Sequence, residues 1–570
     1  MIVLGLKVFG HDTGAALIED TDGDVKITAI SEERLNRRKH TSRFPIFSID
    51  YCLKNHNISL EDVDCIVFNE RKKSNNINDF FDFSYAYEYK KYDATVGKKF
   101  KWDKNKVNII NHHDAHAASA FFASSYDDAT ILVVDSSGNM GESQSIYSAN
   151  GNEIKLLDRS LSRGIGKLYD LATYQILGFK PAGDAGKTMG LSAYGADEKK
   201  LEYSFSGYYQ GIDTNYSKII EEKNETIKLK CNIEKCKCEE DLLSYPYNKL
   251  AYEVQKETER AMLHLIEYAW EIAPSTNLCI AGGVGLNCIA NDLIRRKGKF
   301  ENIFIQPAAD DSGIPLGAAL YGYNCILKKE NNFNMNTASL GKTYSKDSYI
   351  QMFKENGINY KFKTIREIAE DLSQGKIYGW FSGGSEYGPR ALGNRSILCD
   401  PRNIENRNKI NMKIKHREVY RPFAPIVLEH HAQEYFDIDI PSPFMLYAPK
   451  VKDKCVELAP AVVHRDNTAR LQTVNKENNL LMYKLLSEFE NITGVPILIN
   501  TSFNDREPIV ETPIDAIICM LSTNLDGCYF EGVFVSKNDN NKETLKRLIE
   551  KRKKFLYEKK NILKEKYCYS

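Results

Sequence analysis

The chain has 570 residues and 77 Lys and Arg against 77 Asp and Glu, so its formal net charge is zero. This length predicts two or more domains, and the balanced charge argues against a nucleic-acid partner. No segment reaches 18 uninterrupted apolar residues, so no membrane span is expected, and thirteen scattered cysteines without a CxxC pair predict reduced thiols and a cytoplasmic location.

The N-terminal region predicts strands followed by a helix that carries histidines. "MIVLGLKVF" and "DVKITAISEER" are apolar, β-branched runs typical of strands, with "TDGD" as a turn. In "NIINHHDAHAASAFFASS" (108–125) the alanines favour a helix, on which His112 and His116 share one face and His113 points elsewhere. The pair suits a single metal ion, but it also suits two hydrogen-bonded core histidines, and the pattern alone leaves both interpretations open.

Two predicted strand ends supply carboxylates. "ATILVVDSSG" (129–138) is a buried strand that ends at Asp135, and Asp311 in "QPAADDSG" follows a later strand. Ligands gather at the carboxyl ends of strands in α/β sheets. Two imidazoles and two carboxylates therefore form a candidate open site for Fe(II), Mn(II) or Zn(II), although each aspartate alone also suits a turn or a helix N-cap.

Glycine-rich turns link strands to helices. "AGGVGLN" (281–287) contains Gly282, Gly283 and Asn287, and "GDAGKTMGLSAYG" (183–195) contains Lys187. Such turns let backbone N–H groups approach a nucleotide, and a helix N-terminus favours its negative charge. The repeated strand–turn–helix pattern predicts an α/β layered domain, interrupted at 200–245 by a polar, aperiodic stretch that predicts an insertion or a mobile loop.

A polar stretch at 330–347 marks the predicted domain boundary. Beyond it, "KIYGWFSGG", "RPFAPIVLE" and "GVPILINTSFN" predict a second α/β region, and the tail from Lys537 predicts a charged helix. This region places cations beside glycines and apolar strands, where guanidinium groups suit phosphate or carboxylate better than surface salt bridges do. These cations and the short polar residues near them are Arg390, Arg395, Lys415, Arg417, Arg421, Arg470, Asn500, Ser502 and Asn504.

Together these segments resemble the O-carbamoyltransferase family, which includes enzymes that carbamoylate nodulation factors, cephems and aminoglycosides. The resembling segments follow the family's order from residue 5 to about 516. They include "GHDTGAAL", "SEERLNRRKH", "HHDAHAASAF", "VVDSSG", "GKTMGLSAYG", "GGVGLNC", "DDSGIPLGAA", "EYGPRALGNRSIL", "KIKHREVYRPFAP" and "NTSFN". The resemblance implies the α/β class, with an actin/Hsp70-like duplicated Kae1-like domain over residues 1–335 and a YrdC-like α/β domain over residues 345–570.

The resemblance also implies an enzyme with two half-reactions. The second domain would form carbamoyl adenylate from carbamoyl phosphate and ATP, with Mg(II), through KxR (Lys415, Arg417) and SxN (Ser502, Asn504) elements. The first domain would transfer the carbamoyl group to a hydroxyl of a small-molecule or sugar acceptor, with His11 as the base.

The remaining site residues are also implied by the resemblance. His112, His116, Asp135 and Asp311 would hold a divalent metal, Fe(II) before Mn(II) or Zn(II), and Lys39 is a second expected catalytic residue. The expected nucleotide-binding residues are Lys187, Gly282, Gly283, Asn287, Arg390, Lys415, Arg417, Arg421, Arg470, Asn500, Ser502 and Asn504.

Two other functions stay open on the sequence. A tRNA threonylcarbamoyl transferase would require threonine and tRNA, and a non-catalytic ATP-binding protein of the same fold would have no need of His11. A homodimer is also expected.

Overall fold

The structure is a computed structural model that describes residues 1–69, 94–181, 183–223, 226–418 and 420–569. The chain divides into two compact units. The first contains Met1–Glu32, His40–Met335 and Tyr567–Ser570, and the second contains Glu33–Lys39 and Asn336–Lys566. Glu33–Lys39 thus belongs to the second unit, whereas the sequence predicts one continuous first domain over residues 1–335.

Two five-stranded sheets of the same topology form the centre of the first unit. Its described strands are β1 (Ile2–Lys7), β2 (Gly14–Thr21), β3 (Asp24–Ser31), β4 (Cys65–Asn69), β5 (Val107–Ile110), β6 (Asp128–Val134), β7 (Gln144–Asn150), β8 (Glu153–Ser160), β9 (Tyr208–Gln210), β10 (Asp213–Asn215), β11 (Ile220–Lys223), β12 (Thr226–Leu229), β13 (Asn277–Ala281) and β14 (Asn302–Ile305). The sheet orders are β3-β2-β1-β4-β5 and β8-β7-β6-β13-β14. Each sheet is an antiparallel three-stranded meander extended by two parallel strands, so the topology is duplicated.

Helices follow the outer parallel strands of both sheets. The described helices of this part of the chain are α1 (Glu32–Asn36), α2 (Ile46–Asn55), α3 (Ala94–Lys99), α4 (His112–Phe121), α5 (Ile165–Leu171), α6 (Ala185–Ser192), α7 (Tyr247–Ile272), α8 (Cys288–Lys297) and α9 (Ile314–Tyr321). The predicted histidine-bearing helix is confirmed as α4. Its start is fixed by Asn111, whose side chain accepts a hydrogen bond from the His113 backbone N–H at 2.8 Å, as expected of an N-cap.

Residues 200–245, predicted as an insertion or a mobile loop, contain two hairpins, β9–β10 and β11–β12. Tyr209 and Tyr216 tie the first hairpin to α7, because both hydroxyls donate to Glu257 Oε1, the second at 2.9 Å. Their strands have only three or four residues, which is too few for a periodic pattern to stand out in the sequence.

One mixed sheet of eight strands organises the second unit. Its strands are β15 (Lys361–Phe362), β16 (Tyr378–Phe381), β17 (Arg395–Cys399), β18 (Ala424–Leu428), β19 (Gln472–Val474), β20 (Ile497–Ser502), β21 (Gly527–Phe530) and β22 (Val533–Ser536). Their order is β15-β22-β21-β16-β17-β20-β18-β19. The predicted strands in "KIYGWFSGG", "RPFAPIVLE" and "GVPILINTSFN" are confirmed as β16, β18 and β20.

Helices pack on this sheet through apolar side chains. The helices are α10 (Lys346–Glu355), α11 (Ile365–Ser373), α12 (Ile404–Lys409), α13 (Ala432–Tyr435), α14 (Asp453–Leu458), α15 (Leu480–Thr493), α16 (Pro513–Ser522) and α17 (Lys542–Tyr567). One core cluster joins α11 and α15 to the sheet and includes Trp380, Leu398, Ile426, Met482 and Phe489, all fully buried. The charged C-terminal helix predicted from the sequence is confirmed as α17.

Two arginines anchor the segment Glu33–Lys39 within the second unit. Arg34 is 4% exposed, and its Nη2 donates to the carbonyl oxygens of Glu386 and Gly388 at 3.3 and 2.9 Å. Arg37 donates to the carbonyl oxygen of Ile509 at 2.9 Å. Buried cations need such partners, so these hydrogen bonds hold the segment Glu33–Lys39 in the second unit.

The predicted α/β class is confirmed by both units. All thirteen cysteines are free, as the sequence predicts. Within the described residues, no helix is both long enough and apolar enough to cross a membrane.

Candidate active site

Four side chains predicted as metal ligands converge in the first unit. One donor atom from each of His112, His116, Asp135 and Asp311 lies within 4.8 Å of the others. His112 Nε2 is 3.3 Å from both Asp135 Oδ2 and Asp311 Oδ1, and His116 Nε2 is 3.5 and 3.7 Å from the same two oxygens. The structure therefore brings together the whole predicted set.

Equivalent elements of the two sheets position these ligands. Helix α4 follows β5, the last strand of the first sheet, and α9 follows β14, the last strand of the second. Asp135 directly follows β6, and Asp311 begins the short 3-10 turn Asp311–Gly313 that leads into α9. The two helices touch at Gly317, where a Cβ atom would lie 1.9 Å from the Ala115 carbonyl oxygen, so the approach requires glycine.

The chemistry of this group fits a divalent metal. His116 is fully buried, and neither ring nitrogen has a hydrogen-bond partner among the described residues, which is uncommon for buried polar atoms. Burial raises the pKa of the Asp135 carboxyl, but the hydrogen bond from His112 and the close approach of His116 outweigh this and hold that pKa well below its usual range. Two imidazole nitrogens and two ionised carboxylates suit Fe(II), Mn(II) or Zn(II).

The turn after β1 places His11 beside the metal ligands. His11 Nδ1 is 3.9 Å from Asp311 Oδ2 and 2.7 Å from Asp12 Oδ2, and the imidazole is half exposed. Burial lowers the pKa of His11, but the hydrogen bond with Asp12 and the charge of Asp311 raise it above its ordinary value. The opposite oxygen of Asp12 contacts His40 Nδ1 at 2.9 Å, so Asp12 is held between two imidazoles.

The glycine turn after β13 lies against the strand end that carries Asp135. Gly282 has φ +87°, and a Cβ atom there would lie 2.3 Å from the Val134 carbonyl oxygen. A Cβ atom on Gly283 would lie 3.2 Å from Asp135 Oδ1. Asn287 ends the turn as the N-cap of α8, where its Oδ1 accepts from the Ala290 N–H at 3.1 Å. This turn is thus next to the metal ligands.

Two predicted lysines lie elsewhere. Lys187 Nζ is 3.3 Å from Asp184 Oδ2 and 5.3 Å from the centre of the Phe179 ring, so its described contacts are local to the start of α6. Lys39, expected as a catalytic residue, is exposed and belongs to the second unit. Burial is the main cause that lowers the pKa of Lys415, and the charge of Lys39 lowers that pKa further.

In the second unit, the predicted KxR and SxN elements meet. Lys415 ends a π-helical segment, Ile410–Lys415, and is 7% exposed. Its ammonium donates to Ser502 Oγ at 3.2 Å and to both Asn504 Oδ1 and the Asn504 carbonyl oxygen at 2.8 Å. His416, the next residue, is left-handed at φ +45°, and π-helical turns of this kind are frequent at functional sites.

Further cations surround this contact. Arg417 Nε donates to Asn411 Oδ1 at 2.8 Å, whereas Arg417 Nη2 is buried without a hydrogen-bond partner in the described part of the chain. Burial lowers the pKa of Arg417 well below its ordinary value, and the charges of Arg421 and Arg470 lower it further. Burial also lowers the pKa of Lys415, and the charges of Arg417 and Arg421 lower it further, so these cations lie near one another.

The other predicted residues of this unit frame the cluster or support the fold. Asn500 donates to the Ala391 carbonyl oxygen at 3.1 Å, next to the half-buried Arg390. Arg395 is fully buried, donates to the Ser382 carbonyl oxygen at 2.7 Å and lies 3.5 Å from the centre of the Phe381 ring. Arg395 is therefore a structural residue of β17.

The carbamoyltransferase N-terminal family matches residues 2–85 and 79–320, and the carbamoyltransferase C-terminal family matches residues 369–537. The chain belongs to the carbamoyltransferase family. The N-terminal match includes the four metal-ligand candidates and His11. The C-terminal match includes Lys415 and Ser502. Both constellations thus lie in segments that define the family.

Curated relatives agree with this placement. The nodulation protein NolNO of Sinorhizobium fredii is 34% identical over 95% of this chain and 81% of its own length. The 3'-hydroxymethylcephem-O-carbamoyltransferase of Amycolatopsis lactamdurans is 30% identical over 69% of this chain and 73% of its own. Among solved structures, HypF of T. kodakarensis matches 57% of this chain and 48% of its own at 11% identity and a TM-score of 0.32.

For this carbamoyltransferase-family chain, sequence reasoning missed three side chains at or beside the site: Lys7, Asp12 and His40. Lys7, the last residue of β1, is 2% exposed, and its ammonium donates to Asp311 Oδ2. The available signal was a single cation inside the apolar run "MIVLGLKVF", four residues before His11. Asp12 and His40 were missed for another reason, because their contact joins a turn and a distant loop.

Proposed function

We propose that the chain is an ATP-dependent O-carbamoyltransferase that forms carbamoyl adenylate in its second unit and transfers the carbamoyl group in its first. The family supports carbamoyl transfer. Two different sites support the assignment of one half-reaction to each unit. The first unit has a four-ligand metal group beside His11, and the second has a buried cation cluster around an SxN element.

The second unit suits an anionic, multi-oxygen substrate. Burying the Lys415 ammonium and Arg417 Nη2 is costly unless their charges are neutralised. A phosphate chain would bridge these two cations with the nearby Arg421 and Arg470. In the proposed step, water hydrolyses carbamoyl phosphate to carbamate and phosphate. A carbamate oxygen then attacks the α-phosphorus of ATP, an oxygen–phosphorus bond forms, and the bond to the pyrophosphate leaving group breaks. Phosphate and pyrophosphate are the by-products, Mg(II) accompanies ATP, and the unit would be YrdC-like.

The first unit suits transfer to a hydroxyl. We assign the proton between His11 and Asp12 to His11 Nδ1, which leaves Nε2 free to accept the hydroxyl proton. The acceptor oxygen would attack the carbamoyl carbon, the bond between that carbon and the phosphate oxygen would break, and AMP would leave with the electron pair. A metal held by His112, His116, Asp135 and Asp311 would supply charge neutralisation for the AMP phosphate.

The acceptor is proposed as a hydroxyl of a small molecule or sugar. A hydroxymethylcephem is named for one relative, which supports this class without identifying the acceptor of this chain. The half-exposed position of His11 is consistent with a base that an external acceptor can reach.

The test is incubation of the full chain with carbamoyl phosphate, MgATP and Fe(II), while phosphate and pyrophosphate are followed separately. Release of both, dependent on both substrates, is the expected result. Acceptors are then screened as polyols, amino sugars and hydroxymethyl compounds by a mass increase of one carbamoyl group.

Other outcomes assign other functions. Product formation that requires threonine and tRNA would identify a threonylcarbamoyl transferase. Tight ATP binding without release of phosphate or pyrophosphate would indicate a non-catalytic protein and contradict the proposal.

A further inference from the structure

Lys7 is a buried cation that the proposed chemistry does not use. It ends the central strand β1, is 2% exposed, and has a single hydrogen-bond partner for its ammonium among the described residues, Asp311 Oδ2. A charged group buried in a strand is costly unless it is paired. Its position therefore depends on that carboxylate.

The two oxygens of Asp311 face different partners. Oδ1 is 3.3 Å from His112 Nε2 and 3.7 Å from His116 Nε2, on the side of the other metal-ligand candidates. Oδ2 accepts from Lys7 and lies 3.9 Å from His11 Nδ1. One oxygen is thus directed to the metal group, and the other is occupied by an ammonium.

We propose that Lys7 is a positioning residue that keeps Asp311 a one-oxygen ligand and so leaves coordination positions open for solvent or substrate oxygens. This inference rests on the metal site of the proposed function. Four single-atom ligands leave about two positions on a six-coordinate ion, and a two-oxygen Asp311 would take one of them. Partners of metal ligands commonly fix the orientation of those ligands.

A purely structural role for Lys7 predicts something different. Removing Lys7 alone would leave the Asp311 carboxylate without its buried partner and would destabilise the chain. A purely structural role would not, however, change how many solvent molecules the metal binds. The number of exchangeable waters on a bound ion therefore separates the two roles.

The experiment uses Mn(II) as the probe and the full chain as wild type, Lys7→Met and Lys26→Met. Lys26 is a matched control because it lies in β3 of the same sheet and its side chain is 67% exposed. Free Mn(II) is measured by electron paramagnetic resonance, and exchangeable waters are counted by water-proton relaxation at saturating Mn(II). We expect one fewer water in Lys7→Met than in the other two chains, and an affinity change of about 10–100-fold.

Two further variants make the result decisive. Asn at position 311 offers one oxygen only, so Lys7→Met combined with Asp311→Asn should restore the wild-type water count. Lys7→Gln replaces Lys7→Met in the comparison if circular dichroism shows that the methionine variant does not fold. An unchanged water count in the folded Lys7 variant overturns the role assigned to Lys7.

Failure of the underlying metal site would look different. In that case wild type would bind no Mn(II) or Fe(II), or His116→Ala would bind as tightly as wild type. Loss of binding in His116→Ala, together with an unchanged count in the Lys7 variant, would keep the metal site and reject only the role of Lys7.

Discussion

At the scale of single residues, three adjacent or near-adjacent histidines have separate surroundings because of helix geometry. His112 and His116 stand four residues apart on α4 and face the aspartates, whereas His113 Nδ1 contacts Ser145 Oγ at 2.7 Å. The sequence predicts this split, since residues i and i+4 share a helix face. It cannot predict Lys7, because the ammonium of a strand residue becomes a site residue only through a partner 304 positions away.

The first prediction concerns the metal ligands. His112→Ala combined with His116→Ala should reduce bound divalent metal from one per chain to none, because two of four donor atoms are lost. Metal content is measured by mass spectrometry after dialysis, and circular dichroism checks the fold. His430→Ala with His431→Ala is the control, since it removes two neighbouring imidazoles from the second unit. Equal metal loss in this control, or full metal occupancy in the His112/His116 variant, would contradict the assignment of His112 and His116 as metal ligands.

The second prediction concerns His11. His11→Asn should leave phosphate and pyrophosphate release unchanged and lower carbamoyl transfer by about 10²–10⁴-fold, the usual contribution of a positioned base. Both steps are measured on one preparation with the acceptor found in the screen. His264→Asn removes an imidazole that contacts the Gly211 carbonyl oxygen and stacks on Tyr209, and this control variant should keep both rates. Normal transfer in His11→Asn would remove this residue from the base role.

The third prediction concerns Lys415. Lys415→Met should lower pyrophosphate release by about 10²–10³-fold, because it removes a preorganised cation from the phosphate site. Lys413→Met is the matched control, since Lys413 lies in the same π-helical segment but is exposed. Metal content should be unaffected in both variants. A Lys415→Met chain that releases pyrophosphate at the wild-type rate would refute the adenylate-forming assignment of this cluster.

At the scale of elements, the packing of α9 on α4 sets the distance between Asp311 and the histidines. The strand–turn–helix units around both elements are predicted by the sequence, because their glycines and apolar runs are local signals. The close approach of α9 to α4 is not predicted by the sequence, because it depends on a single tertiary contact, that of Gly317 with the Ala115 carbonyl oxygen. The sequence therefore predicts the secondary structure, but it predicts the geometry of the site only in part.

The fourth prediction tests this contact. Gly317→Ala should destabilise the first unit by about 1–3 kcal/mol through overpacking and should weaken Mn(II) binding, because α9 must move away from α4. Gly186→Ala is the control: Gly186 lies in α6 with open space at its Cβ position, so alanine should stabilise by about 0.5–1 kcal/mol. Denaturant unfolding and Mn(II) titration measure both effects, and unchanged Mn(II) affinity in Gly317→Ala would contradict the role of this contact.

At the scale of the whole molecule, the order of the sequence and the two units do not coincide. Tyr567 belongs to the first unit, where it is 3% exposed, stacks on Phe100 with ring centres 6.0 Å apart and donates to Asp50 Oδ1 at 3.2 Å. The backbone of Lys101 also donates to the Tyr567 carbonyl oxygen at 2.8 Å. Composition and periodicity report neighbours along the chain, so they could not place these terminal residues.

The fifth prediction follows from this arrangement. Tyr567→Ala should destabilise the first unit by about 3 kcal/mol, the usual cost of removing a buried aromatic ring. Tyr557→Ala should change stability by less than about 0.5 kcal/mol, since Tyr557 is 71% exposed on the same helix. Thermal and denaturant unfolding with tryptophan fluorescence provide the comparison, and equal stability of the two variants would show that the terminal contacts contribute little.

The placement of Tyr567 has a consequence for biosynthesis. Domains generally fold as units during translation, N-terminal ones first, yet here the first unit gains its full set of contacts only when residues 567–569 have left the ribosome. The face of Phe100 that Tyr567 covers would stay open to solvent while more than 460 residues are still being added. A nascent chain stalled before residue 567 should therefore be cleaved by protease near Phe100 faster than the released protein.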